Sequence, residues 1–357
     1  MRFRLLADQV VVITGASSGI GLLTAQKAAA AGAKVLLVAR NELELTVAVQ
    51  DIRARGGTAD FAVADVGIAD QVEQAAARAM ALHGRIDTWI NNAGVAIYAP
   101  LEQTPHDEHQ RLFQTNYFGV VHGSVAALPH LRRSGGALIT VGSIAGDLPS
   151  PLLGAYTAAK HAVKGYINSL RIELEAAGDP VSVTLIKPAG MDTPIGQHAA
   201  NHQGYEALIP PPVYDPALTV DAILDAAQYP RREITVGGVG RAEVLVAAHF
   251  PRLMGRLAPF LIPLLTDRSR APTPGNTLFH SQDAGRVRSG TEHGRPFSLY
   301  TAAARHRGWL AGAVAVTAAA ALGIAVSRNR GSALGLKPSG RSRSRGRSSP
   351  DKRVRSG

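Results

Sequence analysis

Along the first 240 residues, short apolar runs rich in Val, Ile and Leu alternate with longer stretches in which apolar residues recur every three to four positions. The runs at residues 10–13, 35–38, 61–63, 88–90, 137–141, 181–186 and 234–236 read as strands. The Ala-rich stretches between them read as helices with one apolar face. Repeated β-α-β alternation requires right-handed crossovers, a parallel sheet covered on both faces, and a ligand site outside the carboxyl ends of the strands. The expected fold class is α/β, a doubly wound parallel sheet of about seven strands with a C-terminal helical extension.

After Gly240 the pattern changes. Residues 242–265 predict one or two apolar helices interrupted by Pro251, Pro259 and Pro263, since proline inside a helix removes a donor and clashes with the preceding turn. Residues 266–300, rich in Pro, Gly, Ser and charge, predict an irregular connector. Residues 309–326 are 18 uncharged positions, and the remainder of the chain is Arg/Ser/Gly low complexity. The expected organisation is a first domain over 1–240, with its boundary near Arg241. A helical extension and connector come next over 241–300, then an apolar helix over 301–327 as a candidate membrane segment, then a basic disordered tail over 328–357.

Composition narrows the classes. With 46% hydrophobic residues and 5% aromatics, the chain suits a parallel sheet between helices and excludes wholesale disorder. The absence of cysteine removes disulfides, thiolate nucleophiles and Cys-based metal sites, and fits a reducing compartment. No metal site is expected. The net charge of +11 resembles a nucleic-acid signal until it is located. Residues 328–357 hold ten Lys or Arg and one acid, Asp351, giving +9 and leaving +2 for residues 1–327. The body is nearly neutral. Residues 1–9 carry two arginines and no apolar signal core, so the expectation is a cytoplasmic catalytic body.

The first strand runs into Thr14-Gly15-Ala16-Ser17-Ser18-Gly19-Ile20-Gly21, and a helical pattern continues to a stop at Gly32. Glycines allow a tight turn and close backbone approach, and a helix starting there offers unpaired N–H groups and a positive dipole end to a pyrophosphate. Three glycines after a strand also make an ordinary turn, but the strand-loop-helix context favours a Rossmann-type nucleotide loop. The second strand ends at Arg40, where such folds place the residue that meets the adenine ribose. An acid there accepts from a free 2′-hydroxyl, whereas a guanidinium pairs with a 2′-phosphate, so Arg40 points to NADP(H). Asp65 and Val66, ending the third strand, suit an adenine contact, though Asp65 would also serve as a helix N-cap.

Further along stand Asn91-Asn92-Ala93-Gly94 after the fourth strand, Asn116 on a later helix, Ser143 at the end of the fifth strand, and Tyr156-x-x-x-Lys160. In this order, and with the TGxxxGxG loop, these motifs resemble those of the short-chain dehydrogenases/reductases over residues 8 to about 240. The chemistry explains the set. Reducing a ketone requires a proton for the developing alkoxide, and an ordinary tyrosine, with a pKa of about 10, exchanges protons poorly at neutral pH. Lys160, one turn after Tyr156, shares its helix face, so its ammonium is expected to lower the phenol and to reach the nicotinamide ribose. Ser143 can hydrogen-bond the substrate oxygen.

The resemblance implies more. Asn116 would complete a water-linked proton relay; Asn92, Ala93 and Gly94 would pass the cofactor; and Pro188 and Thr193 match a carboxamide-binding segment whose glycine is here displaced to Gly190. A homodimer or tetramer through the helices holding Asn116 and Tyr156 is also implied. The segment from Pro194 through Pro210-Pro211-Pro212 to Pro216 takes the place of a substrate lid. Its apolar character, with Ile97, Tyr98, Leu148 and Leu152 near the pocket, favours a bulky lipophilic alcohol or ketone. The rival reading is a catalytically idle nucleotide-binding or scaffold protein recruited by its tail. For residues 309–326 a span, an interfacial helix and a buried or oligomer-forming helix all remain open, and the basic tail suggests a membrane surface before nucleic acid.

Overall fold

The computed structural model describes residues 3–273, 276–281 and 285–305. All of them belong to one compact unit, Met1–His306. The apolar run at 309–326 and the basic tail lie outside the described residues.

Seven strands form one all-parallel sheet: β1 (Val10–Thr14), β2 (Lys34–Ala39), β3 (Thr58–Val63), β4 (Thr88–Asn91), β5 (Ala137–Val141), β6 (Ser182–Pro188) and β7 (Glu233–Val236). Their order is β7-β6-β5-β4-β1-β2-β3, with the chain reversing direction of growth between β1 and β4. Each expected strand is present, with every end within three residues of its expected place; the run expected at 181–186 starts one residue later. Helices α1 (Gly19–Ala30), α2 (Glu42–Ala54) and α7 (Ala217–Ala226) pack one face. Helices α3 (Ala69–His83), α5 (Gly119–Ser134) and α6 (Gly154–Ala177) pack the other. Strand alternation assigns the sides: Val11 and Ile13 join the first core and Val12 the second. Because both faces are covered, β1 is buried at every position and reads as an unbroken apolar run.

The helices stop where the backbone can turn left-handed. Gly84, Gly135 and Gly178 cap α3, α5 and α6 with φ of 72°, 67° and 70°. Helix α4 (His106–Phe113) runs through a π turn, Gln114–Phe118, into α5; a wide turn of this kind commonly accompanies a functional residue, and here it carries Asn116.

The boundary expected near Arg241 is not present. Helix α8 (Gly238–His249) begins before it, and the extension is tied into the sheet unit. A Cβ on Gly240 would stand 2.8 Å from that of Ala189 and 3.0 Å from Cδ1 of Ile144, so α8 abuts the ends of β5 and β6. Thr301, on α10 (Leu299–Arg305), accepts the Gly237 N–H at 3.0 Å. Helix α9 (Pro251–Leu261) comes directly after α8, Pro251 opening it where a missing N–H costs nothing. The stretch after it is mostly irregular, but Thr266–Asp267 pairs antiparallel with Glu206–Ala207, and Leu278 is fully buried. Sequence periodicity alone signals none of this, because the docking is made by backbone carbonyls and single side chains.

Candidate active site

A cleft of about 350 Å³ opens at the carboxyl ends of the strands. Of the residues expected at the site, Gly15, Ser17, Ser18, Gly19, Ile20, Arg40, Asp65, Val66, Asn92, Ala93, Gly94, Ser143, Tyr156, Lys160, Pro188 and Thr193 line it. Thr14, Gly21 and Asn116 stand just behind. Tyr98 and Leu148 also line it, whereas Ile97 and Leu152 do not; the Leu152 carbonyl instead accepts from the Ala99 N–H.

The nucleotide end is built by two loops that hold each other. Thr14 Oγ1 accepts from the N–H groups of Asn92 (3.0 Å) and Ala93 (3.1 Å), and Asn92 Nδ2 donates to the carbonyls of Thr14 (2.9 Å) and Gly15 (3.2 Å). At Gly21 a Cβ would lie 2.2 Å from the Gly15 carbonyl oxygen, so only glycine lets α1 start this close under the loop. The cradle fits a pyrophosphate, since α1 begins at the cleft and its first N–H groups belong to lining residues, Gly19 and Ile20. One of them, from Gly19, donates to the Arg286 carbonyl at 3.0 Å. Asn91, beside Asn92, faces the second core instead, accepting from Trp89 Nε1 at 2.8 Å.

Arg40 is where it was expected, with unexpected partners. Its guanidinium donates to the carbonyls of Leu278 (3.0 Å), Phe279 (3.4 Å) and Thr277. Asp65 pairs with Arg111, whose Nε donates to the Leu278 carbonyl at 2.8 Å. The Arg111 bond and the Gly67 N–H hold the Asp65 carboxyl below its usual range in spite of burial. Asp65 is thus neither a bare adenine acceptor nor a simple N-cap. Thr277 and Ser281 join Arg40 in lining the cleft, and Gly240 and Glu243 line it from α8. No motif marks these four, because they come from the extension and acquire meaning only through where it docks.

The reacting end lies among Ser143, Tyr156 and Lys160. The Ser143 hydroxyl accepts from the Ala145 N–H at 3.1 Å and lines the cleft together with Tyr156. Lys160 Nζ donates to the Val141 carbonyl at 3.0 Å and stands 5.5 Å from the Tyr156 ring centroid. Asn116, fully buried, exchanges bonds with both backbone groups of Val95, at 2.8 and 2.9 Å. A Cβ on Gly94 would meet Asn116 Oδ1 at 3.5 Å and Lys160 Nζ at 4.0 Å, so these groups converge on one point. The expected lowering of the Tyr156 phenol by Lys160 is not what the structure shows. Burial pushes Tyr156 up to about 12, against the opposing pull of the Ser143 hydroxyl, and pulls Lys160 down to about 8. Desolvation dominates because the ammonium sits beside the ring and spends a donor on Val141.

Beyond this centre, Ile144, Leu148, Met191, Ile195 and Ile209 line an apolar end, closed by Pro210–212. Gly190, the displaced glycine, supports that closure: a Cβ there would lie 2.5 Å from the Pro210 carbonyl oxygen. Thr193 packs on Gly19, 3.6 Å from the position of a Cβ there, and the neighbouring Asp192 accepts from the Ser289 N–H at 3.0 Å, anchoring the connector again.

A doubly wound sheet whose switch-point cleft joins a glycine loop to a Ser-Tyr-Lys centre defines a nucleotide-dependent oxidoreductase. The family model described as short chain dehydrogenase matches residues 9–204, and the chain belongs to the short-chain dehydrogenases/reductases. It is 38% identical over 318 residues to an uncharacterized oxidoreductase of Bacillus subtilis, YxnA, covering 85% of this chain and 87% of that one. The match to dehydrogenase/reductase SDR family member 7B of Bos taurus is 35% over 207 residues, 55% of this chain and 62% of the relative. Among solved structures, a short chain dehydrogenase/reductase from Burkholderia phymatum in complex with NAD matches with a TM-score of 0.65 and 25% identity, covering 71% of this chain and 97% of that one. Since 85% of 357 residues exceeds 240, the likeness to the Bacillus protein necessarily runs into the extension.

Proposed function

We propose that the chain is an NADP(H)-dependent oxidoreductase that moves a hydride between nicotinamide and the carbonyl or alcohol carbon of a lipophilic substrate. The observation that carries this reading is the placing of half-buried Tyr156 with Ser143 and Lys160 on the lining of one largely apolar cleft. When bound, the dinucleotide supplies or accepts the hydride. In the reductive direction Ser143 donates to the substrate oxygen and holds it against Tyr156, which is protonated at neutral pH and gives its proton to the developing alkoxide. Lys160, with one donor on Val141, keeps others for the nicotinamide ribose. Asn116 is a positioning residue for the Val95 backbone, and its part in a proton relay is supported by its closeness to Gly94 and Lys160. The apolar lining excludes water from the reacting carbon.

Arg40 supports the choice of NADP(H). The three connector carbonyls hold its guanidinium without neutralising it, while Arg111 is neutralised by Asp65, so a net positive charge remains for a 2′-phosphate. The reading is tested by following NADPH absorbance with a panel of apolar ketones, aldehydes and their alcohols, for the wild type and Tyr156→Phe. Turnover by the wild type, lost in the variant while NADPH binding persists, is expected. A variant as active as the wild type would remove Tyr156 from the chemistry.

A further inference from the structure

Helix α9 stands away from the sheet. None of its described side chains is buried, and only Met254 and Ala258 are even half-buried. Phe250 (60% exposed), Leu253, Leu257, Phe260 (73% exposed) and Leu264 succeed one another at spacings of three and four, which places them on one side of the helix and its flanks. A monomer rarely leaves so continuous an apolar stripe to water. Arg252 and Arg256, one turn apart, edge the stripe, and neither has an ion-pair or hydrogen-bond partner among the described residues. From residue 244 to residue 265 there is no acid at all.

Charge decides what covers this face. A two-fold contact between copies would double the arginines along the rim of the stripe and, with no acid from 244 to 265, would bring nothing from this segment to pair them. A bilayer with acidic headgroups instead meets the stripe with acyl chains and the arginines with phosphates. Helix α8 connects the patch to the cleft: Glu243 lines the cleft, and Leu245, two residues on, is exposed. We propose that α9 and its flanks dock the body on the surface of an anionic bilayer. Phe250, Leu253, Leu257, Phe260 and Leu264 enter the acyl boundary and Arg252 and Arg256 hold lipid phosphates. This contact is independent of residues 309–326.

The absence of cysteine makes the test direct, because a single introduced thiol reports one position. Leu257→Cys and Phe260→Cys carry nitroxide labels in the full chain; Val47→Cys, exposed on α2 over the opposite end of the sheet, is the control. With vesicles of phosphatidylglycerol and phosphatidylcholine, labels at 257 and 260 should gain oxygen accessibility and lose accessibility to a water-soluble nickel chelate, while the label at 47 stays in water. Arg252→Gln with Arg256→Gln should lower association with these vesicles by roughly thirtyfold at low salt. Three results overturn the proposal: no association with the vesicles; association that leaves 257 and 260 open to nickel, which assigns docking to another segment; or spin–spin broadening at 260 without lipid, which assigns the face to a second copy.

Discussion

Leu278→Ala removes the one connector side chain that is fully buried among the described residues, from a cluster that includes Val95, Ile97 and Leu112. Truncating a buried leucine costs about 2–5 kcal/mol. Few other contacts hold this stretch: Thr277 donates its N–H to the His198 carbonyl at 2.8 Å, and Arg40 and Arg111 bind the carbonyls of 277–279. The cost should therefore fall on local docking, raising the undocked population between roughly thirtyfold and a few thousandfold. Hydrogen exchange at the amides of Thr277 and Leu278 should accelerate accordingly, while the denaturant midpoint of the sheet moves much less. Because the connector carbonyls aim Arg40, NADPH affinity should also fall severalfold. Wild-type exchange at these amides together with wild-type NADPH affinity would refute the argument that the connector completes the nucleotide end.

Arg40→Asp should reverse the preference between NADPH and NADH, since a charge-assisted contact contributes about 1.5–3 kcal/mol; equal wild-type affinities in a direct titration would contradict the assignment. Lys160, buried and pulled down to about 8 from 10.5, binds fewer protons folded than unfolded between those values, so its contribution makes stability rise with pH across that window. Lys160→Met should abolish up to about 3 kcal/mol of that rise, read as the difference between denaturant midpoints near pH 7.5 and pH 10. Asp147 bridges Lys164 and Lys187 behind the Ser143 loop, and its pair with Lys187 is buried; Asp147→Asn should cost about 3 kcal/mol in urea unfolding, and an unchanged midpoint would show that Glu233 suffices for Lys187.

Period and order account for the part of this protein that its sequence determined by itself. Seven apolar runs separated by helical stretches force a parallel sheet, because each crossover must return the chain in the same sense. The glycine loop, Asn92-Ala93-Gly94, Ser143, Tyr156 and Lys160 stand at strand ends, where a doubly wound sheet must gather them. Their convergence therefore needed no tertiary information beyond the fold. The energetics did. Whether Lys160 lowers Tyr156 or burial raises it depends on where the ammonium points, and Val141, a carbonyl with no sequence signature, takes that donor. The connector shows the same limit: residues 277–279 carry no periodicity, and they join the site through carbonyl oxygens, which every residue possesses. On α9 the sequence specified an apolar helix, which would ordinarily seek a core. Only the packing of α8 against Ile144 and Ala189 decided that the sheet had no face left for α9 and that its stripe meets solvent.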